Sequence, residues 1–201
     1  MAHDQLTGFV LAGGKSTRMG NDKAALSVGG KTLLDIALTT VRTVARQVTI
    51  VGSAELYGGH GPTIADIFPG CGPLGGIHTA LSHTKTEFNL MLAVDTPFLS
   101  AKLLAYLAQR AFASRMTVTA PVINSYPQPL CAVYTHDFLS VAATALKAGD
   151  YKIVPLFPQG RTLLIEEAEL ARFAFTAEMF DNLNTPEDLE RARRRGSDKS
   201  P

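Results

Sequence analysis

Tryptophan is absent from this chain, cysteine occurs twice, and aromatic residues make up only 7% of it. Cys71 and Cys131 lie far apart and lack C-x-x-C spacing, so they build neither a disulfide framework nor a zinc site. Each reads as a small buried hydrophobe or a loop thiol. No run of about 20 apolar residues occurs, so no transmembrane helix is expected. The N-terminal MAHDQLTG is polar and acidic without a long apolar core. It does not read as a signal peptide, and the expectation is a cytoplasmic protein. A basic excess is also missing: 19 basic residues face 18 acidic ones, for a formal net charge of +1. That balance argues against nucleic acid as the main partner, while leaving room for a small anion held by a few cations. The histidines His3, His60, His78, His83 and His136 show no metal-ligand or general-base spacing. No G-x-S-x-G element supports a Ser-His-Asp hydrolase, and there are no internal repeats or low-complexity segments.

What is present is enough apolar material for a substantial core, 46% of 201 residues, and a pattern of alternating strands and helices. Residues 8–11 read as a first buried strand. Thr32 opens a helix, with Asp35 as a capping-box partner, and apolar residues recur at helical spacing through Arg46. Val48–Val51 is a β-branched run and reads as a second strand. This β-loop-α-β order is the unit of a parallel sheet. Residues 52–62 look like loop, and Thr63–Ala65 like a brief strand ending at Asp66. A glycine-rich stretch from Pro69 to Gly76 then leads into a helix predicted from about Ile77 to His83. It is either a connector with fixed turns or a second backbone surface against a ligand. Phe88–Val94 is nearly continuous in apolar residues, as a central strand buried on both faces must be. Ser100 caps the next helix. Further strands are predicted at Met116–Ile123, Leu130–Tyr134 and, at an edge, Thr162–Ile165, with a helix over Asp137–Ala148. Thr185, Pro186 and Asp188 make a helix start, and that last helix is predicted to reach about Arg195. The fold class is α/β: a three-layer, Rossmann-like, open and mostly parallel sheet with helices on both faces. One domain is expected over residues 1–195, followed by a polar tail over 196–201 expected to be disordered.

Two features carry chemistry. The first is Leu11–Lys23, LAGGKSTRMGNDK, which places adjacent glycines, a Ser, a Thr and three cations directly after the first strand. Glycines allow close backbone approach, and exposed N–H groups with cations meet phosphate charge. It is not a P-loop, because G-x-x-x-x-G-K-[ST] needs a glycine where Phe9 stands. It is not G-x-G-x-x-G either, since Gly13 and Gly14 are adjacent. A phosphate loop of another kind and a plain strand-to-helix turn with solvated charges both remain open. The second feature is Asp95, at the C-terminal end of the central strand, where open α/β sheets bind ligands. A carboxylate there needs a cation, a metal or several donors; the alternative is an Asp that caps a turn before Pro97.

Together these stretches resemble the molybdenum cofactor guanylyltransferases. Leu11–Lys23 is similar to L-A-G-G-x-S-x-R-M-G-x-D-K at every defined position. Gly72–Ile77 resembles G-P-L-x-G-[IM], and Asn182–Leu189 resembles N-[IV]-N-T-P-E-[DE]-L. Val94–Phe98 resembles C-D-[TM]-P-[FY], with Val94 in place of Cys. The resemblance spans roughly residues 7 to 192. It implies transfer of GMP from GTP to the terminal phosphate of molybdenum-bound molybdopterin, with Mg²⁺ as cofactor and pyrophosphate as the leaving group. It also leaves room for other proteins of molybdenum cofactor biosynthesis as partners.

The resemblance implies roles residue by residue. Leu11, Ala12 and Gly13 would offer backbone groups to the nucleotide, with Gly14 keeping the loop close. Arg18 and Lys23 would neutralise phosphate charge. Asp95 would hold Mg²⁺, Asp66 would contact the nucleotide, and Asn182 would face the pterin. Lys15 and Thr17 fall at variable positions and read as solvated. Three rivals stand beside this reading. A CTP-dependent molybdopterin cytidylyltransferase tends to read L-A-A-G where this chain has Gly13-Gly14. A sugar-phosphate nucleotidyltransferase resembles G-x-G-T-R-M, and Ser16 stands where its second glycine would be. A GTP-binding regulatory domain without chemistry would not need both Lys23 and Asp95.

Overall fold

The structure, a computed structural model, describes residues 5–13 and 22–197, the last two of these by their backbone alone. The strands are β1 (Leu6–Leu11), β2 (Ser27–Val28), β3 (Lys31–Thr32), β4 (Gln47–Val51), β5 (Thr63–Ile64), β6 (Phe88–Ala93), β7 (Val118–Ile123), β8 (Tyr126–Pro127), β9 (Cys131–Thr135) and β10 (Thr162–Ile165). The helices are α1 (Leu33–Arg42), α2 (Ala54–Tyr57), α3 (Gly72–His83), α4 (Ala101–Ser114), α5 (Phe138–Ala148), α6 (Glu167–Ala171) and α7 (Pro186–Ser197).

The main sheet runs β10-β7-β9-β6-β1-β4-β5, with β8 paired to β7. Pairs β5–β4, β4–β1, β1–β6 and β7–β10 are parallel. Strand β9 alone runs against both of its neighbours, β6 and β7. The expected mostly parallel α/β sheet is therefore the one observed. The reversal into β9 starts at a tight hairpin, in which Asn124 and Ser125 take positive φ between β7 and β8. Asn readily takes this conformation in tight turns, and the turn pairs β8 with the end of β7.

Alternate residues of the central strands feed two cores. On one face Val10, Leu90 and Leu92 pack with Leu34 and Leu38 of α1 and Leu103 and Leu107 of α4. On the other face Phe9, Leu11 and Met91 pack with Leu74, Ile77 and Leu81 of α3 and Phe138 and Ala142 of α5. Strands β1 and β6 are buried along their whole length, which accounts for their continuous apolar runs. Cys131 is buried in β9. Burial pushes its thiol up to about 12, so it stays protonated and inert.

Several boundaries differ from expectation. Helix α1 stops at Arg42 rather than Arg46. Near that end the Thr40 and Thr43 hydroxyls bond the carbonyls of Ile36 and Thr40, the local competition by which such side chains end helices. Residues 27–32 form a two-stranded hairpin turned at Gly29 and Gly30, and residues 54–57 and 167–171 are short helices. Helix α3 begins at Gly72, not Ile77, with Pro73 pre-set for its first turn. Helix α7 continues to Ser197, so residues 196–197 are helical rather than part of a disordered tail. The two predicted caps hold. Thr32 accepts the Asp35 N–H at 3.1 Å, and Thr185 accepts the Asp188 N–H at 3.1 Å while Asp188 accepts the Thr185 N–H at 2.9 Å.

Candidate active site

From β1 the chain crosses through α1 to β4 on one side, and later returns to place β6 on the other side of β1. This reversal of strand order opens a crevice at the C-terminal ends of β1 and β6. The register pairs Leu11 with Ala93, so Gly13 and Asp95, each two residues further on, leave the sheet at the crevice. Val94 N–H donates to the Leu11 carbonyl at 3.3 Å, and Ala12 N–H donates to the Val51 carbonyl at 3.0 Å. These bonds carry the sheet ladder one residue past each strand end and fix the rim of the crevice. Gly13 is the first exposed residue beyond it.

Lys23 arrives from the far end of the glycine motif. Asp22 accepts the Ala24 N–H at 3.1 Å and so caps a short 3-10 turn over Lys23–Ala25. The Lys23 ammonium then lies 3.3 Å from Asp95 Oδ2 and donates to Asn184 Oδ1 at 2.7 Å. Both members of the Lys23–Asp95 pair keep about a quarter of their side-chain surface, 24% and 23%. In that setting the pair contributes little to stability, and it stays reachable by a ligand. The third participant comes from the segment before α7. Leu183 N–H donates to the Asp95 carbonyl at 2.9 Å, and its buried side chain anchors the segment in the core.

The predicted residues thus divide. Lys23 and Asp95 meet directly. Asp66 follows β5 and is tied to the loop before α3: its Oδ1 accepts from Phe68 N–H at 3.0 Å and from the Thr79 hydroxyl at 2.9 Å. Among the described residues, no hydrogen bond or ion pair joins Asp66 to Lys23 or Asp95. Asn182 is exposed beside the crevice, but it is Asn184, two positions on, that reaches Lys23. Asn184 belongs to the same motif as Asn182, and no local signal marks it; only folding brings it to a residue 161 positions away. Gly14 and Arg18, with Lys15 and Thr17, lie outside the described residues.

The second glycine stretch forms the opening turns of α3. A Cβ at Gly75 would fall 2.8 Å from the Phe68 carbonyl oxygen and 3.1 Å from Asp66 Oδ2. A Cβ at Gly76 would fall 3.4 Å from the Leu11 side chain. These glycines seat the helix against both the Asp66 loop and the end of β1, at the same edge of the sheet as the glycine motif. Among the described residues, no three His, Cys, Asp or Glu side chains gather to hold a metal. Asp95 alone suits the Mg²⁺ mode in which one carboxylate acts together with substrate phosphates.

Known proteins resemble this chain in sequence and in fold. Residues 8–166 match the model of the MobA-like NTP transferase domain. The chain is 34% identical over 191 residues to a protein of Pelotomaculum thermopropionicum named probable molybdenum cofactor guanylyltransferase, covering 94% of this chain and 92% of that one. It is 33% identical over 192 residues to the molybdenum cofactor guanylyltransferase of Desulfosudis oleivorans, covering 94% and 95%. Among solved structures it resembles molybdopterin-guanine dinucleotide biosynthesis protein A of Archaeoglobus fulgidus, with a TM-score of 0.83, 27% identity, and coverage of 96% and 99%. The matched sequence over most of the chain, with the shared fold, shows that the chain belongs to the MobA-like NTP transferase family.

Proposed function

We propose that this chain transfers GMP from GTP to the terminal phosphate of molybdenum-bound molybdopterin. An oxygen of the pterin phosphate forms a bond to the α-phosphorus of GTP. The bond from that phosphorus to the bridging oxygen breaks, and pyrophosphate leaves with the electron pair. The observation that carries this reading is the meeting of Lys23, Asp95 and Asn184 at the crevice beside Gly13. Phosphoryl transfer asks mostly for positioning and charge stabilisation, and these residues offer that without a nucleophile.

The Lys23 ammonium is the described cation placed to meet phosphate oxygens, and Asn184 holds it there. Arg18 would add a second cation. The exposed backbone at Gly13 would lie along the nucleotide with Leu11, Ala12 and Gly14, and Asp66 would contact it from the α3 side. Asn182 would face the pterin. Mg²⁺, when bound at Asp95, would supply further charge neutralisation on the phosphates. The domain would span residues 1–195, and the enzyme would work in the cytoplasm; among the described residues no helix is long and apolar enough to cross a membrane.

The test is pyrophosphate release from GTP with and without added molybdenum-bound pterin, with Mg²⁺ present or chelated, and with CTP in competition. Release that needs the pterin and Mg²⁺ and prefers GTP is the expected result. Preference for CTP would move the enzyme to the cytidylyltransferase class. GTP binding without pterin-dependent release would leave only a sensing role. Asp95→Ala should lower kcat about a hundredfold or more with the fold intact, and near-normal turnover would remove Asp95 from the metal site.

A further inference from the structure

Tyr57 has no part in the site described above, yet its hydroxyl touches both flanks of the glycine motif. It lies 2.8 Å from Asp22 Oδ2 and 3.1 Å from the Ala12 carbonyl oxygen. Both atoms are acceptors and a phenol carries one proton, so the hydroxyl bridges them as a three-centre bond. The charged carboxylate, at the shorter distance, takes the larger share. The side chain is buried, with 6% of its surface exposed, which shields the bridge from competing water. Burial, and after it the Asp22 carboxylate, push the phenol well above its ordinary range, so it stays a donor at any working pH.

The ring is seated by a glycine. A Cβ at Gly52, just past β4, would fall 2.8 Å from Tyr57 Cε2 and 3.0 Å from Cδ2. Tyr57 closes α2, and the absence of a side chain at Gly52 leaves room for its ring at the end of β4. Asp22, the far end of the bridge, also accepts the Ala24 N–H. It thereby sets the turn from which Lys23 reaches Asp95 and Asn184.

We propose that Tyr57 is a positioning residue for nucleotidyl transfer. Its one proton ties the Ala12 carbonyl to the Asp22 carboxylate, and this fixes the direction in which Lys23 points. Without that proton two acceptors face each other and repel, and the Asp22 cap loosens. The proposal rests on the guanylyltransferase reading for its kinetic consequence and on the geometry alone for its structural one.

The experiment compares wild type with Tyr57→Phe, which keeps the ring, at a temperature well below either melting midpoint. Two quantities are read: hydrogen exchange at the Ala24 amide, and KM for GTP against kcat in pyrophosphate release. Exchange at Ala24 about tenfold faster, with kcat/KM for GTP lowered about tenfold, is the expected result, the scale of one charge-assisted hydrogen bond. Gly52→Ala, which displaces the ring, should move both quantities in the same direction. A lower melting temperature with Ala24 exchange and the GTP constants unchanged would reduce Tyr57 to core packing and overturn the proposal. If wild type itself releases no pyrophosphate with GTP and pterin, the guanylyltransferase reading fails, and the Ala24 exchange alone decides whether Tyr57 holds Asp22.

Discussion

The ammonium of Lys23 donates to the side-chain oxygen of Asn184 across 2.7 Å, although 161 positions separate the two residues. One belongs to the glycine motif near the N-terminus, the other to the segment that starts the last helix. Their contact lies at the crevice with Asp95, and it places a polar side chain on a cation that keeps about a quarter of its surface. The positions of the two motifs are thereby linked.

Asn184→Ala should therefore act on the nucleotide through Lys23. We expect kcat/KM for GTP to fall about three- to tenfold, the value of one ordinary hydrogen bond, since this one is exposed to water. Lys23→Ala in the same background should then cost less than it does alone, because the partners are coupled. Asn182→Ala, at an exposed position, should leave KM for GTP unchanged and raise KM for the pterin. Steady-state kinetics with each substrate varied in turn checks all three variants.

Asp188 carries Asn184 in turn. Its carboxylate accepts the backbone N–H groups of Asn184 at 3.0 Å and Thr185 at 2.9 Å. The Asn184 N–H is the largest cause that holds the carboxyl below its ordinary value of 3.8; the Thr185 groups and Arg191 add to it. A carboxyl depressed in the folded state stabilises the fold above its unfolded value, and that contribution is lost as pH falls through the folded value. Melting temperatures followed from about pH 5 down to about pH 2 should show a smaller acid loss in Asp188→Asn than in wild type. Equal slopes would mean that Asp188 does not carry this acid sensitivity.

His78 predicts a second pH dependence at milder acidity. Its imidazole is buried against the edge of the Phe68 ring, and Nδ1 has no hydrogen-bond partner among the described residues. Burial lowers its pKa from 6.5; Lys147 lowers it further, against an opposing pull from Asp66. A base whose folded pKa is depressed leaves the unfolded chain holding more protons just below 6.5, so stability falls as pH drops from there. His78→Leu should remove that slope and be near neutral at pH 8, because an unpaired buried polar atom is replaced by an apolar one. Denaturant titrations of both proteins between about pH 8 and about pH 5 check it.

Gly75→Ala tests the close seat of α3. The new methyl must displace the Phe68 carbonyl oxygen and press on the Asp66 carboxylate, and backbone does not yield easily. A destabilisation of about 1–3 kcal/mol is expected from overpacking. If Asp66 contacts the nucleotide, KM for GTP should rise as well. A stability loss with GTP constants intact would confine Asp66 to its role of bonding Phe68 N–H and Thr79.

Much of this protein is legible in the order of its residues. The apolar runs of β1 and β6 announce strands covered on both faces, because only helices on either side can bury them. Thr32 with Asp35 and Thr185 with Asp188 mark helix starts, because a cap is a contact between residues three apart. The glycine motif points to the family for the same reason: its ten defined positions fall within thirteen consecutive residues.

Contacts between distant segments could not be read that way. That Asn184 meets Lys23 and that Tyr57 bridges Ala12 and Asp22 both depend on which segments the sheet order brings together. Gly75 and Gly52 look like turn glycines in the sequence; a Cβ at either would strike a residue that the chain folds back against it, the Phe68 carbonyl in one case and the Tyr57 ring in the other. Local rules act over a turn or a strand. The direction of Lys23, and with it the shape of the crevice, is set by packing among residues that only the completed sheet makes neighbours.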